Sequence, residues 1–428
     1  MSNPLAIAIK GKGVFPLVAR ARTIASRYDL TAAKMNRSVM LLVATLQRFG
    51  AKATLPVTAA ALARHSAVTR EHQSRGLEFA VHGLAHVDHT QLSQDEQHAR
   101  FQRAKKVFER AGVHATGFRC PYLRWNADTL AALEQCGFAY DSSQALVWDV
   151  TNGLETDSYR RVLEFYGAQP AGDYPALPRI VGDIVRIPYC MPDDEALVER
   201  LKLTDSQAMA EMWLEVLQRT YEMGELFTLG LHPERAALCQ AALHATLERA
   251  CALSPGVWFA RLDEIVSWWR ALGQTPYQVR RTTDSMFHLS IEAPPAATIL
   301  ARNVKVEAPT QAWTGGYQRV YQTDFALWSD KRPFIGIAPG SPSTLYNFLR
   351  QQGYLVEVST DAQSYSFYLQ PGEFSPEDER RLLTQIEKGD WPLLRLARWP
   401  HGVQSALSIT GDIDAFTLWD YGLRAFGS

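Results

Sequence analysis

The stretch Phe79-Ala80-Val81-His82-Gly83-Leu84-Ala85-His86 decides how this chain is interpreted, because an apolar run there ends in two histidines four residues apart. The apolar residues predict a buried strand at residues 77–81. Neutral imidazole is a common ligand of zinc-like ions, and the end of a strand is a rigid place from which to present it. The stretch therefore predicts half of a metal site, although two solvated or packed histidines would show the same pattern.

Length and composition indicate a globular protein of several domains. A chain of 428 residues with 46% hydrophobic residues exceeds the size at which a single core keeps growing, so two or three domains are expected. The net charge of −1 argues against nucleic acid or an anionic membrane surface as the main partner.

The cysteines and the apolar segments predict a cytoplasmic location. The five cysteines are odd in number and form no C-x-x-C pair, which favours free thiols in a reducing compartment. The apolar run at residues 5–9 is too short for the core of a signal peptide. No window approaches the length of a membrane-spanning helix, so we expect no transmembrane segment.

Strand and helix patterns alternate through the first part of the chain. Alternation of this kind predicts βαβ units and a parallel sheet, either open or closed into a barrel, with the chemistry at the carboxyl ends of the strands. We expect residues 150–178 to form a long loop. The predicted strands are at residues 53–57, 77–81, 117–119, 180–188 and 226–231, and the predicted helices at residues 31–49, 93–111, 128–136 and 207–223.

The character of the sequence changes at about residue 275, where alternating apolar and polar residues become frequent. This change predicts a first domain at residues 1–274 and a second, smaller β-rich α+β domain at residues 275–400, in which no catalytic motif is found. Residues 401–428 contain one more strand-like run, at residues 406–410. That run leads directly into Asp412 and Asp414, which places two carboxylates at another strand end.

Two histidines and one carboxylate would form a three-ligand site with an open position, which is typical of a catalytic metal. Asp412 and Asp414 could divide the remaining work, one as ligand and one as base, if a cation such as Arg119 keeps the base ionised. His232 is a candidate general acid. Taken singly, these residues could equally be turn aspartates, a surface arginine and a loop histidine.

Two other hydrolase classes are disfavoured by the motifs. Gly83 stands where the metalloprotease motif H-E-x-x-H requires its glutamate. The pattern G-x-S-x-G of a serine hydrolase is absent from the sequence.

Three segments taken in order resemble successive motifs of the polysaccharide deacetylase family, carbohydrate esterase family four. They are His82-Gly83-Leu84-Ala85-His86, Arg119-Cys120-Pro121-Tyr122 and Leu231-His232-Pro233. The resemblance covers about residues 15–272, with residues 406–414 added. It implies a distorted (β/α) barrel of about seven strands and a divalent metal, usually zinc, with cobalt, nickel or manganese as alternatives.

The resemblance also implies roles for individual residues. His82 and His86 would be metal ligands, and Arg119 would orient the catalytic aspartate. The backbone N–H of Tyr122 would help to stabilise the oxyanion, and His232 would be the general acid.

Three further residues are predicted to contact the substrate. Pro121 would shape the loop that carries the oxyanion donor, and Leu231 would line the acyl pocket, both as the resemblance implies. Trp258 is a further candidate for the cleft.

The aspartate pair that opens this family's motif series is missing from its expected place before residue 35. Asp412 and Asp414 resemble D-x-D variants of that motif. We therefore predict a circular permutation, in which the strand at residues 406–410 returns from the C-terminal part to complete the barrel, with Asp412 as the base and Asp414 as the third ligand. Return within one chain and exchange with a partner chain are both compatible with the sequence, and so is a homo-oligomer.

The acidic residue that would support His232 could be Asp193, Asp194 or Asp183.

The sequence thus predicts a metal-dependent hydrolase that removes an N-acyl group, with acetyl as the expected one, from an amino sugar or glycan precursor. Related alternatives are deformylation of a lipid-linked sugar and ring opening of a small cyclic amide. An inactive glycan-binding relative is the alternative of another class, although binding alone would need neither a base nor an acid.

Overall fold

The first part of the chain builds a curled, largely parallel sheet with helices packed on it. The structure is a computed structural model that describes residue 24 and residues 27–424, so the apolar run at residues 5–9 lies outside the described residues. The strands of this part are β1 (Ala53–Val57), β2 (Glu78–Val81), β3 (Gly117–Phe118), β4 (Tyr140–Asp141), β5 (Ala145–Val147), β6 (Gln169–Pro170), β7 (Arg179–Val181), β8 (Ile184–Arg186), β9 (Tyr189–Met191), β10 (Leu226–Gly230) and β11 (Val257–Phe259).

Helices alternate with these strands, as the periodicity predicts. Ser93 is the N-cap of the third helix, and its side chain and that of Glu96 form a capping box. The helices are α1 (Ala33–Gln47), α2 (Ala59–Ser74), α3 (Gln94–Ala111), α4 (Ala127–Gln135), α5 (Asp157–Tyr166), α6 (Ser206–Met223), α7 (Gln240–Ala252) and α8 (Leu262–Gly273).

Two predictions for this part were wrong in detail. The expected loop at residues 150–178 contains α5, which is capped by Thr156 and ends at Gly167 in the left-handed conformation. Only Tyr159 and Val162 of that helix are buried, so its apolar face is narrow. The single strand expected at residues 180–188 is the hairpin β7–β8, which turns at Gly182 with φ of 56°.

The second part of the chain adds three small sheets, which agrees with the predicted β-rich character. Their orders are β12-β13-β18-β15, β16-β17-β14-β22 and β20-β19-β21. The strands are β12 (Tyr277–Arg281), β13 (Met286–Ile291), β14 (Ile299–Arg302), β15 (Lys305–Val306), β16 (Thr310–Ala312), β17 (Gln318–Val320), β18 (Asp324–Trp328), β19 (Arg332–Ile337), β20 (Val356–Val358), β21 (Tyr365–Leu369), β22 (Leu393–Leu396) and, back in the large sheet, β23 (Ser405–Thr410). The helices are α9 (Ser343–Gln351), α10 (Pro376–Lys388) and α11 (Leu418–Arg424).

The large sheet has the order β6-β5-β9-β10-β23-β1-β2-β3-β4-β8-β7, with β11 paired beside β23. The two outer strands of this order, β6 and β7, do not pair with each other within the described residues, so the sheet is a curled half-barrel.

No helix between residues 27 and 424 is long and apolar enough to cross a membrane. All five cysteines are free thiols, and all but Cys251 are buried.

The late strand β23 lies in the middle of this sheet. It pairs in parallel with β10, where Thr410 is opposite Gly230, and with β1, where Thr410 is opposite Thr54. Every residue of β23 is buried, as expected for a strand covered on both faces. Residues from two distant parts of the same chain are thereby brought to one edge of the sheet.

Substitution of Gly411, the residue after β23, tests the packing of β23 in the sheet. A Cβ atom there would lie 1.8 Å from the carbonyl oxygen of Leu231, a backbone atom that cannot rotate away. We expect Gly411→Ala to lower the free energy of unfolding by about 2 kcal/mol or more, measured by urea denaturation. Gly422→Ala is the matched control, since nothing lies within 4 Å of its Cβ position and alanine favours a helix. Equal stability of the two variants would contradict the described junction.

Candidate active site

Two histidines and one aspartate form a compact group of potential metal ligands. His82 follows β2 and is buried, His86 lies four residues further on, and Asp414 follows β23. The Oδ1 atom of Asp414 lies 3.4 Å from Nε2 of His82 and 3.3 Å from Nε2 of His86. The ligand atoms of all three residues are within 4.8 Å of one another.

The hydrogen bonding of His82 prepares one ring nitrogen for a metal. Its Nδ1 lies 2.9 Å from the carbonyl oxygen of Arg119, and a carbonyl oxygen can only accept a hydrogen bond. Nδ1 must therefore carry the proton, which leaves the lone pair of Nε2 facing Asp414. Two imidazoles and a carboxylate at these distances fit a zinc-like divalent ion with an open position.

Asp412 lies beside this group but is held by a different partner. Its Oδ1 accepts a hydrogen bond of 3.0 Å from Nη1 of Arg119, and its Oδ2 is 3.7 Å from Nε2 of His82. The Arg119 side chain is fully buried and also donates to Thr410 Oγ1 at 2.9 Å. The two carboxylates of the D-x-D segment therefore have different environments, one against a guanidinium and one against two imidazoles.

His232, two residues after the end of β10, lines the same cleft as His86, Asp412 and Asp414. Its Nδ1 is 2.7 Å from Asp194 Oδ1, and its backbone N–H donates to Asp194 Oδ2 at 3.0 Å. Burial alone would lower the pKa of His232, but the Asp194 carboxylate outweighs burial and raises that pKa to about 10. His232 is therefore protonated at neutral pH, with Nε2 as the nitrogen that Asp194 does not engage.

Among the three aspartates considered as partners of His232, the structure brings Asp194 to it. Asp193 instead accepts a hydrogen bond of 2.8 Å from the hydroxyl of Tyr189. Burial and the neighbouring Asp194 charge raise the pKa of Asp193 to about 6. Asp183 lies on the exposed turn of the β7–β8 hairpin, away from the cleft.

Asp193, Asp194 and His232 also place ligand atoms within 4.8 Å of one another. However, the buried guanidinium of Arg235 is 3.5 Å from Asp194 Oδ2, so a divalent cation there would face an existing positive charge. Nδ1 of His232 is also already engaged. This group therefore fits a role in holding the acid better than a second metal site.

The turn after Arg119 has an unusual backbone. Pro121 is buried at its first position, and the next two residues, Tyr122 and Leu123, have φ of 60° and 54°. Two successive non-glycine residues in the left-handed region are costly and require support from their surroundings. Part of that support is the Tyr122 ring, which packs edge-on against His86 with centroids 4.3 Å apart.

Arg124 braces the same turn. Its Nε donates to Asp88 Oδ2 at 2.8 Å, and its Nη1 donates to the carbonyl oxygen of Phe165 at 2.7 Å. The guanidinium also lies 4.9 Å from the centre of the Phe165 ring. Asp88 belongs to the loop that carries His86, so this arginine links the ligand loop, the Tyr122 turn and α5.

The substrate-contact candidates do not all lie at this cleft. Leu231 is fully buried beside it, with its backbone N–H donating to Thr410 O at 2.7 Å. Trp258 lies elsewhere, because β11 pairs it with Ala406 near the start of β23, at the other end of that strand from Asp412. Its ring contacts Trp399 at 6.3 Å between centroids. The structure therefore assigns Trp258 to packing between the sheet and the second part of the chain.

Several aromatic residues of the cleft had no motif to identify them. Tyr189 lines the cleft, and the centre of its ring lies 4.7 Å from Cζ of the Arg119 guanidinium. Tyr28 and Tyr421 come from opposite ends of the described chain and stack at 5.4 Å beside it. Their sequence surroundings carry no signal of this placement, which depends on tertiary contacts alone.

Comparison with known proteins can now be set beside this geometry. Residues 19–140 match the polysaccharide deacetylase family. The predicted family resemblance is confirmed by this match, which includes His82, His86, Arg119 and Tyr122 and ends before His232 and the aspartates.

A curated relative, the peptidoglycan deacetylase-like protein of Gibberella zeae, is 26% identical over 188 residues, which are 39% of this chain and 54% of the relative. The chain thus spans about half the length of that relative. A solved structure of a putative polysaccharide deacetylase from Mycobacterium smegmatis is 25% identical, with 57% of this chain and 81% of that one covered and a TM-score of 0.43. A probable polysaccharide deacetylase from Pseudomonas aeruginosa PAO1 is 20% identical, with coverages of 60% and 78% and a TM-score of 0.45.

The Asp194–His232 pair leads to a test by titration. We expect Asp194→Asn to lower the pKa of the His232 imidazole from about 10 to below the usual value of about 6.5, because burial then acts without the opposing carboxylate. NMR titration of the ring protons in metal-free protein measures this shift. Asp183→Asn is the control and should leave the His232 pKa unchanged. An unchanged pKa in Asp194→Asn would exclude this carboxylate as its cause.

Proposed function

We propose that this chain is a metal-dependent deacetylase that removes the N-acetyl group of an amino sugar or glycan precursor. The observation that carries the proposal is the division of the two aspartates, since Asp412 contacts Arg119 and Asp414 contacts both histidines. The proposed base, Asp412, and one proposed metal ligand, Asp414, thus have a single residue between them. The family match over residues 19–140 supports the same reaction class.

His82, His86 and Asp414 would hold the divalent ion, for which zinc is the first candidate. When bound, the ion supplies Lewis acidity that polarises the amide carbonyl and makes water more acidic. The proposal leaves the choice among zinc, cobalt, nickel and manganese to metal analysis, because imidazole and carboxylate ligands accept all of them.

Asp412 would act as general base. Its carboxylate is fixed by Arg119 at 3.0 Å and lies 3.7 Å from the His82 ring, so it borders the space in front of the ligand group. In the first step it takes a proton from water as the water oxygen bonds to the amide carbon. The backbone N–H of Tyr122, on the strained turn beside His86, would donate a hydrogen bond to the oxygen that becomes negative.

His232 would act as general acid. Protonated through its contact with Asp194, it gives a proton from Nε2 to the amine nitrogen as the carbon–nitrogen bond breaks. Acetic acid and the free amine leave, and the acid ionises to acetate in solvent. Asp412 gives its proton back to solvent and His232 takes one up, which restores both groups. Leu231, buried between His232 and β23, would border the methyl group of the acetyl moiety.

The proposal is tested with full-length protein and N-acetylglucosamine oligomers. We expect Asp412→Asn and His232→Ala to lower kcat by roughly 10²- to 10⁴-fold while bound metal stays at the wild-type level, since neither residue is a ligand. His82→Ala and Asp414→Asn should lose the metal together with activity. Metal analysis by mass spectrometry and an assay of released acetate measure the two properties separately.

Asp173→Asn is the matched control, because that residue is exposed and lies outside the cleft. Undiminished turnover in Asp412→Asn would overturn the assigned mechanism. Bound metal without turnover on any amide would favour the glycan-binding alternative. Turnover of a formylated sugar or a cyclic amide in place of the acetylated oligomers would favour those substrate classes with the same residues.

We also propose that the chain order is a circular permutation of the family's arrangement. In support, β23 lies between β1 and β10 of the same chain, and the backbone N–H of Leu418 donates to Asp29 O at 2.9 Å, so the two ends of the described chain meet.

A rearranged chain tests the permutation. If residues 401–424 are moved in front of residue 27 through a short flexible linker, we expect the protein to fold and to bind metal as the original does. Circular dichroism and metal content measure the outcome, and a folded but metal-free product would contradict the proposal.

A further inference from the structure

A second cavity lies at the other end of the strands that carry the candidate active site. It has a volume of about 370 Å³, which is within the range of small-molecule sites. Its wall includes Gly224 and Glu225 just before β10, and Val403 and Gln404 just before β23. Five- and six-residue strands separate the two sites by roughly 17 Å at about 3.3 Å per residue. We call it the arginine cavity, after Arg380, Arg395 and Arg398 in its wall.

Two of these arginines are neutralised by neighbours. Arg380 forms an ion pair with the buried Glu225, and Arg395 forms one with Glu387. Each of these two carboxylates is therefore already ion-paired. Their arginines contribute shape and hydrogen-bond donors to the cavity but little net charge.

Arg398 is different, because within residues 27–424 no carboxylate lies in ion-pair distance of it. Its side chain is buried, with Nε donating to Gln352 Oε1 and Nη1 to Met223 O, each at 2.9 Å. The carbonyl end of α6 offsets at most about half of an elementary charge. Burial, and after it the charge of Arg395, lower the pKa of Arg398, while the more distant charges of Glu387 and Glu225 oppose that shift.

The geometry leaves one face of Arg398 for a ligand. Nε and Nη1 are engaged, and Nη2 makes no hydrogen bond to a residue of the described chain. The N–H groups of Nη2 can donate to an oxygen of a carboxylate or phosphate group, and such charge-assisted bonds are strong where water is excluded. The half-buried ring of Trp313 lines the same cavity and offers a flat apolar surface.

We propose that the arginine cavity binds a small organic anion that carries a carboxylate or phosphate group, with Arg398 as its charge partner and Trp313 against its apolar part. The proposal is independent of the reaction proposed for the other site.

Calorimetric titration of full-length His82→Ala protein tests the proposal. That background is chosen because an anion could also bind at a metal held by His82. The probes are glucuronate for the carboxylate, glucose 6-phosphate for the phosphate, and neutral glucose. We expect one site for at least one anion, none for glucose, and affinity that falls as salt is raised.

Two variants locate the site. Arg398→Gln should weaken binding at least tenfold, and Trp313→Ala should weaken it several-fold. Trp313 is half-exposed, so its variant keeps the test decisive if Arg398→Gln fails to fold, which circular dichroism shows. Arg281→Gln, at an exposed arginine of β12, is the matched control and should bind as the parent does.

Three results would overturn the proposal: no binding of either anion to folded protein, equal binding of glucose, or anion binding that neither variant changes. Binding of glucuronate alone or of glucose 6-phosphate alone supports it and identifies the acidic group.

Discussion

Arg119 lies fully buried in the centre of the half-barrel and connects parts of the chain that are nearly three hundred residues apart. Its Nη1 donates to Thr410 Oγ1 and Asp412 Oδ1 at 2.9 and 3.0 Å, and its Nε donates to Ser142 O at 2.9 Å. Its own carbonyl oxygen accepts from His82. A buried guanidinium without partners would cost several kcal/mol, so the sheet can contain Arg119 only where these acceptors converge. The positions of β3, β23 and His82 are thereby linked through one residue, by its side chain and its backbone carbonyl.

This linkage explains how Asp412 and Asp414, which have one residue between them, acquire different environments. Asp412 extends toward the guanidinium and accepts its hydrogen bond, whereas Asp414 lies against the two imidazoles. Asp194 in turn holds His232 through both its ring and its backbone. Asp412, His232 and His82 are thus each oriented by an oppositely charged neighbour or by a backbone acceptor.

The sequence predicted those parts of the fold and site that local patterns encode. The strand predicted at residues 53–57 is β1 and the helix predicted at residues 93–111 is α3, since propensity, capping and burial favour the same state in both. Helix α5 was missed because only two of its residues are buried. Trp258 was placed in the cleft because an aromatic residue carries no information about which end of a strand it occupies. Tyr189 and Arg398 could not be identified, because their importance depends on partners brought together by the tertiary fold.

The central position of β23 has a consequence for the order of events during synthesis. Until residues 405–410 emerge, β1 and β10 expose unpaired inner edges, and such edges are sites of wrong pairing. The whole β-rich second part must be made before the strand that fills this gap. Contacts between residues this far apart in sequence form slowly, so the half-barrel must stay open for a long interval. A chain that ends before residue 405 would lack both aspartates and keep a sheet split at its centre, so synthesis must pass Asp414 before the candidate site can assemble.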